Sequence, residues 1–380
     1  MLNWRLLEKM PLVAGVDSST QSVKVVIRDA DSGELVAQAS EPHPDGTEVD
    51  PKAWEDALDK ALAKVAQFKI EALSIAGQQH GMVALNDKGE VIRKALLWND
   101  TRSAKAAEDL NSEIPDIHIR TGSRLVASFT ASKVRWLCDN EPENAKQLAV
   151  VALPHDWLSW RLSGSTDLDQ LFTDRSDASG TGYFNPESNR YDEEIIKRIT
   201  RGKSEFKVPK ILKPNEVGGK TKAGIPITAG AGDNAAAALG LGARVGDLVI
   251  SLGTSGTAFA VSATPTKDAT GEVAGFADAT GNFLPLACTL NAAKVFATIA
   301  KALNVTLDEF AALALKAKSG AEGLRLLPHF DGERTPNRPN ARGSYLGMTN
   351  ENLTKENLAR AAIEGVIAGM IYAANSLSEK

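Results

Sequence analysis

One device is written twice in this chain. Val13-Ala14-Gly15-Val16 is a short apolar run that stops at Asp17-Ser18-Ser19-Thr20 and is followed by the β-branched run Val23 to Ile27. Far downstream, Val249-Ile250-Ser251-Leu252 stops at Gly253-Thr254-Ser255-Gly256 and is followed by Ala258 to Val261. Each reads as strand, polar turn, strand. Nothing repeats at a short period, so the two copies predict an internally duplicated α/β architecture rather than a solenoid. Two such domains would face each other across a cleft.

Around the first copy, Asp31-Ser32-Gly33 supplies a turn before Glu34 to Ala39, a third strand antiparallel to the second. Trp54, Leu58, Leu62 and Val65 then fall at helical intervals between Trp54 and Phe68, with Pro51 suited to the first turn. A strand from Ala72 to Ala76 follows. The order β-β-β-α-β joins an antiparallel meander to a parallel crossover, which predicts a mixed sheet with a helix on one face. The Gly- and Ala-rich stretch around Asp233 to Gly246 is the expected boundary between domains at 11–240 and 241–380. Its glycines serve equally as hinge material or as the contact points of a close-packed helix. The polar stretch Asn185 to Lys220 reads as connecting structure. Asn357 to Ser376 reads as a helix whose apolar face is Leu358, Ala361, Ile363, Ile367 and Ile371.

The 380 residues are 43% hydrophobic and 24% charged, enough for two sizeable cores. A formal net charge of -5 argues against a nucleic-acid or anionic-membrane surface, which requires clustered Lys and Arg, and favours a small polar partner. Cys138 and Cys288 are the only cysteines, so neither a disulfide framework nor a thiolate metal site can be written, and a reducing cytoplasm is expected. The opening MLNWRLLEKM lacks the pattern of a secretory signal. Elsewhere Asp, Lys or Gly interrupts apolar runs before the roughly 20 residues needed to span a bilayer, so no membrane partner is expected.

In the turn Asp17-Ser18-Ser19-Thr20-Gln21, backbone N–H groups and hydroxyls could converge on phosphate oxygens while the carboxylate holds hydrated Mg2+; the same letters also make an ordinary Asx turn. Leu252-Gly253-Thr254-Ser255-Gly256 is a second place for backbone to approach phosphate. Taken alone, Asp233 reads more readily as a helix N-cap than as a base, and Trp98 as a core aromatic on whose face a sugar ring could pack. His80, like His43, His118, His155 and His329, has the simple reading of a satisfied buried histidine. Glu333-Arg334 reads as an ion pair holding a loop. Gly219-Lys220-Thr221 imitates the end of a P-loop, but Pro214 stands where that motif requires its first glycine. Gly230-x-Gly232-x-x-Ala235 imitates a dinucleotide fingerprint, but Asp233 would push its charge at the pyrophosphate.

Longer segments carry a specific resemblance. Gly343-Ser344-Tyr345-Leu346-Gly347-Met348, then Asn357-Leu358 and Ala361-Ala362-Ile363-Glu364, resemble the C-terminal signature of the FGGY carbohydrate kinases. Ser128 to Trp136 (SFTASKVRW) resembles the family's other signature, and Gly230-Ala231-Gly232-Asp233-Asn234-Ala235 the segment holding its catalytic aspartate. Gly77-Gln78-Gln79-His80-Gly81, Trp98-Asn99-Asp100-Thr101-Arg102, Ser176 to Thr181 and Pro328 to Pro336 look most like the xylulose kinases, which usually carry Met where this chain has Gln79.

The resemblance implies a sugar kinase fold of duplicated actin-like ATPase (ribonuclease H-like) domains, a sugar-binding N-terminal domain and a nucleotide-binding C-terminal one. It implies ATP and Mg2+ as cofactors, a small-molecule sugar as substrate and a homodimer. Asp233 would take the proton of the sugar hydroxyl, and an aspartate of ordinary pKa, ionised at neutral pH, suffices for that. Asp17 would position Mg2+. Ser19, Thr20, Gln21, Lys24, Gly253, Thr254 and Ser255 would line the path of the phosphates, and Gln79, His80, Trp98, Asp233 and Asn234 the sugar pocket. Other activities of the family, on gluconate, glycerol or ribulose, are the alternatives, as is a non-catalytic actin-like nucleotide switch. Relatives continue beyond the helix at which this chain stops into a glycine-rich turn that seats adenosine, a portion absent from these letters.

Overall fold

The computed structural model describes residues 11–378, so the reading of MLNWRLLEKM lies outside the described residues. The chain forms two compact units. One runs up to Gly242 and includes Phe276–Asn282; the other comprises Ala243–Gly275 and the chain from Phe283 onward.

The first unit is built on a seven-stranded sheet. Its strands are β1 (Leu12–Ser18), β2 (Ser22–Asp29), β3 (Leu35–Pro42), β4 (Ile70–Gly77), β5 (Val217–Lys220), β6 (Pro226–Thr228) and β7 (Ala231–Gly232). The order is β5-β6-β4-β1-β2-β3, with β7 also pairing with β4. β1 runs antiparallel to β2 and parallel to β4. Alternation explains these strands: Leu12, Ala14 and Val16 on β1 and Val23, Val25 and Ile27 on β2 are buried, as period two requires for one covered face.

Helix α1 (Pro51–Ala63) crosses over to β4 and buries Trp54, Ala57, Leu58 and Ala61. Asp50 caps it, accepting from Lys52 N at 2.9 Å, and Pro51 opens it where a missing N–H is harmless. The spacing predicted helix as far as Phe68. Instead, bonds from Lys64 N to Ala61 O and from Val65 N to Leu62 O tighten the chain into i to i−3 turns. Helix α2 (Pro154–Ser163) adds Trp157, Leu158 and Trp160 to the same core.

Residues 185–220 are more ordered than their polarity suggested. They hold a helix, Glu193–Ile199, capped by Asp192, and a strand, Lys210–Leu212, parallel to Phe172–Asp174. Ile195, Ile196 and Ile199 suffice to seat that helix, because three apolar residues on one face can bury a two-turn element.

The two readings of the Gly-rich stretch divide by position. A Cβ on Gly230 would come within 2.5 Å of Ile75 O, and one on Gly232 within 2.6 Å of Gln79 Nε2, so these glycines permit close approach. Gly240, Gly242 and Gly246 meet nothing within 4 Å.

The second unit carries most of a four-stranded sheet of β8 (Leu248–Leu252), β9 (Gly256–Ala260), β10 (Val273–Ala277, of which Phe276 and Ala277 count with the first unit) and β11 (Phe283–Thr289), ordered β8-β9-β11-β10. β8 is an edge strand whose Leu248, Ile250 and Leu252 are exposed. Helices α3 (Ala293–Leu303), α4 (Leu307–Lys316) and α5 (Lys355–Ser378) share a core of Val295, Ile299, Phe310, Ala359, Ala362 and Val366.

On α5 the buried residues include Ala359, Ala361, Ala362, Val366, Met370 and Ala373; of the expected stripe Ala361 is buried, Leu358 and Ile363 are partly buried against the core, and Ile367 and Ile371 are exposed. Close approach decides the face. A Cβ on Gly365 would lie 2.3 Å from Leu326 O, so the small-residue side is the one that fits. By length and composition α5 could cross a membrane, with a mean hydropathy of 1.2 over its most apolar window; here it packs against α3 and α4.

Candidate active site

The parallel strands β1, β4 and β7 end together. Asp17 pairs with Ala76 and Ser18 with Gly77 on one side of β4, while Ala231 pairs with Ala76 and Gly232 with Gly77 on the other. Adjacent strands lie about 4.8 Å apart, so the backbone of Asp17 is about 10 Å from that of Ala231, with Asp233 two residues further on. The carboxyl ends of parallel strands, where side chains lean past the sheet, are the usual ligand-binding edge of an α/β domain. Asp17 and Asp233 therefore share one edge of one sheet.

Asp233 opens the helix Asp233–Gly240, with Gly232 rather than Asp233 at the cap position. Its Oδ1 accepts from Asn234 N at 2.7 Å and from Asn234 Nδ2 at 2.9 Å. Burial raises its pKa to about 6; the charge of Asp17 pushes the same way, and the Asn234 donors pull against both. The carboxylate is thus shifted well above an ordinary aspartate yet is still mainly ionised at neutral pH. Asn234, expected to face sugar, gives one Nδ2 hydrogen to this carboxylate.

Gln79 is buried and donates from Nε2 to Ser176 O at 3.1 Å. His80 has φ of 68°, a left-handed conformation that a side chain other than glycine rarely adopts. Its carbonyl accepts from Thr130 Oγ1 at 3.2 Å and from Lys133 Nζ at 3.3 Å, and its Nδ1 lies 2.6 Å from Gly180 O. The ring rests near Phe129 and Phe276, at centroid distances of 4.9 and 5.6 Å. Lys133 is fully buried, and burial lowers its pKa to about 7. The half-buried Trp98 donates from Nε1 to Thr20 Oγ1 at 2.9 Å, tying a residue expected to face sugar to one expected to face phosphate.

In the first turn, Ser19 N and Oγ both donate to Ser22 O. His43 braces the turn from outside: its N donates to Gln21 O at 2.8 Å and its Nδ1 to Ser19 O at 2.9 Å. Lys24 stands opposite Asp17 in the β1–β2 register. Burial raises the pKa of Asp17 against the pull of Lys24 and His43. Among the described residues the Asp17 carboxylate has no hydrogen-bond or ion-pair partner. An accessible, uncommitted oxygen ligand of this kind fits Mg2+, which keeps most of its waters and takes one or two carboxylates.

In the second unit, Gly253 N donates to Ser255 O at 3.0 Å, and Gly253 O accepts from Ala293 N at 2.9 Å at the start of α3. Thr254 is exposed, and the hydroxyls of Thr254 and Ser255 have no partner among the described residues. Glu333 does hold its loop, but through Leu290 N, Asn291 Nδ2 and Arg334 N rather than by an ion pair with Arg334 among the described residues. His43, Lys133, His155 and Ser176 all lie against site residues, yet none stood out as more than a packing histidine or a letter in a longer motif.

The model of the FGGY carbohydrate kinase N-terminal domain matches residues 12–240, and that of the C-terminal domain matches residues 248–380. This chain belongs to the FGGY family of carbohydrate kinases. Its fold is therefore the family's two-domain actin-like ATPase fold, and it is an ATP-using sugar kinase. The xylulose kinase of Streptomyces coelicolor is 44% identical over 380 residues, covering 96% of this chain and 76% of that protein. The xylulose kinase of Streptomyces rubiginosus is 43% identical with the same coverage. The crystal structure of xylulose kinase from Bifidobacterium adolescentis, 44% identical, superposes with a TM-score of 0.88 over 97% of this chain and 83% of that one.

Proposed function

We propose that this kinase phosphorylates a ketopentose, D-xylulose to D-xylulose 5-phosphate, with Mg-ATP as donor and Asp233 as general base. The observation that carries the reading is the shared edge of β1, β4 and β7. There an ionisable carboxylate held by Asn234 stands near the uncommitted carboxylate of Asp17, beside the His80 and Gln79 segment. The names of the relatives supply the sugar.

Phosphoryl transfer asks little covalent chemistry of a protein. It needs an in-line hydroxyl, a proton acceptor and stabilisation of charge on the γ-phosphoryl group. The sugar oxygen attacks phosphorus, the bond to ADP breaks, and the hydroxyl proton passes to Asp233. With its pKa raised towards that of a better proton acceptor, Asp233 is a stronger base than a free aspartate while remaining deprotonated at pH 7. Asp17 would hold Mg2+ through water or directly, and the ion when bound would supply positive charge to offset that of the phosphates. The turns at Ser19–Gln21 and Gly253–Ser255, with Lys24, would receive the phosphates. The two cysteines are buried and free, which suits a reducing cytoplasm.

Coupled detection of ADP release tests this. Stimulation by D-xylulose above D-ribulose, gluconate and glycerol supports the reading. Sugar-independent turnover accompanied by polymerisation would replace it with a nucleotide switch.

A further inference from the structure

His155, at the start of α2, is fully buried, and both of its ring nitrogens face acceptors. Nδ1 lies 2.7 Å from Asp177 Oδ2 and 3.1 Å from Asp156 Oδ1, and Nε2 lies 3.1 Å from Ala229 O. Asp177 Oδ2 and Ala229 O hold the ring at its two nitrogens, and the neighbouring carboxyl groups favour its imidazolium form. Burial opposes that charge, but Asp156 and Asp177 outweigh it and lift the pKa to about 10. Asp156 Oδ2 in turn accepts from Leu153 N at 2.7 Å, and the short helix Arg175–Ala178 that carries Asp177 is capped by Asp174, which accepts from Ser176 N and Asp177 N. The same three groups resemble a metal cluster, but Nδ1 is already paired with Asp177 Oδ2 at hydrogen-bond distance and with Asp156 Oδ1 at ion-pair distance.

The chain that delivers Asp233 is gripped at two points by this network. Ala229 O is held by His155, and Gly232 N donates to Ser176 Oγ at 3.0 Å. Between them Gly230 has φ of 79°, and a Cβ there would lie 2.6 Å from the His155 ring. Beneath β4, a Cβ on Gly77 would lie 2.8 Å from His155 Cβ. No slack remains between the grip and the carboxylate, because Asp233 follows Gly232 directly. Ser176 O also receives Gln79 Nε2, so the two segments expected to meet sugar are referenced to one serine.

We propose that His155, clamped between Asp156 and Asp177, acts with Ser176 as a pair of positioning residues for Asp233, fixing the backbone at Ala229 and Gly232 so that the carboxylate meets the sugar hydroxyl at one place. The proposal rests on the reading of Asp233 as the base. Neither residue touches the reacting atoms, so the effect must reach kcat through Asp233.

The test compares wild type, His155→Gln and Ser176→Ala by amide hydrogen exchange and by steady-state kinetics. Local release of a strand accelerates its own amides and not distant ones. The expected result is exchange roughly tenfold or more faster at residues 230–234 with β1 and β2 unchanged. A displacement of the order of 1 Å can lower turnover about a hundredfold, so kcat should fall by roughly ten- to a hundredfold while KM for sugar and for ATP moves less than about threefold. Unchanged exchange at 230–234, or faster exchange spread evenly over the first unit, overturns the proposal, as does a change confined to KM. If His155→Gln does not fold, Ser176→Ala decides alone, since it removes one acceptor and little volume. If Asp233→Ala retains full turnover, the base assignment has failed, and the exchange data still report whether the two residues fix the strand.

Discussion

The two strand-turn-strand devices share a plan and differ in their surroundings. β1 lies inside its sheet between β2 and β4, and its turn ends beside the carboxylates of Asp17 and Asp233. Among the described residues β8 is an edge strand, and its turn at Gly253–Ser255 offers backbone and hydroxyls but no ionisable side chain. A strand with parallel neighbours on its flank can collect side chains from several strand ends; an edge strand presents only its own. On the proposed reading, proton transfer and metal binding would concentrate in the first unit, and the second turn would be left with phosphate contact alone.

The sharpest way to break that division is Asp233→Ala. Positioned general bases are worth about 10²- to 10⁴-fold, so sugar phosphorylation should fall by that factor with ATP affinity, read by titration, unchanged. Full activity would remove the chemistry from the first unit. Next in size is pH: because the base form of Asp233 is required and its pKa is raised to about 6, kcat should fall as pH drops through that value and plateau above it. An acid limb near pH 4 would show that the carboxylate is not the shifted one described here.

The second turn should give a smaller and purely nucleotide effect. A Cβ on Gly253 meets only Ser255 O at 3.4 Å, so Gly253→Ala should fold normally and raise the KM for ATP by roughly three- to tenfold, as expected for a crowded backbone approach to phosphate. A matching rise in the KM for sugar would blur the comparison. The smallest effect is expected from Gln79→Met, which loses the bond to Ser176 O while Ser179 Oγ still serves that carbonyl. Relative kcat/KM among sugars should shift by less than about tenfold, with the KM for ATP constant; a change confined to ATP would count against its placement near sugar.

Much of the first unit is legible in the letters because β1, β2 and β4 alternate cleanly and α1 carries its own cap. Local pairs are harder: Asn234 sits in the right motif, but nothing in it says that its amide serves Asp233 rather than sugar. The expected stripe of α5 is buried at Ala361 and partly buried at Leu358 and Ile363 but exposed at Ile367 and Ile371, because large apolar residues dominate a periodicity count, whereas Ala359, Ala362 and Gly365 decide how near the helix can come. His155 was invisible for a different reason. Its partners Asp177 and Ala229 lie 22 and 74 residues away, and only folding brings an imidazole to them.

The open flank of β8 has a practical consequence. Among the described residues, the outer amides and carbonyls of β8, bordered by exposed Leu248, Ile250 and Leu252, are unpaired, and in this polypeptide they form a template on which an extended peptide gains a ladder and an apolar cover at once. Handling of this polypeptide should accordingly be governed by how concentrated it is, with turbidity growing faster than linearly with dose.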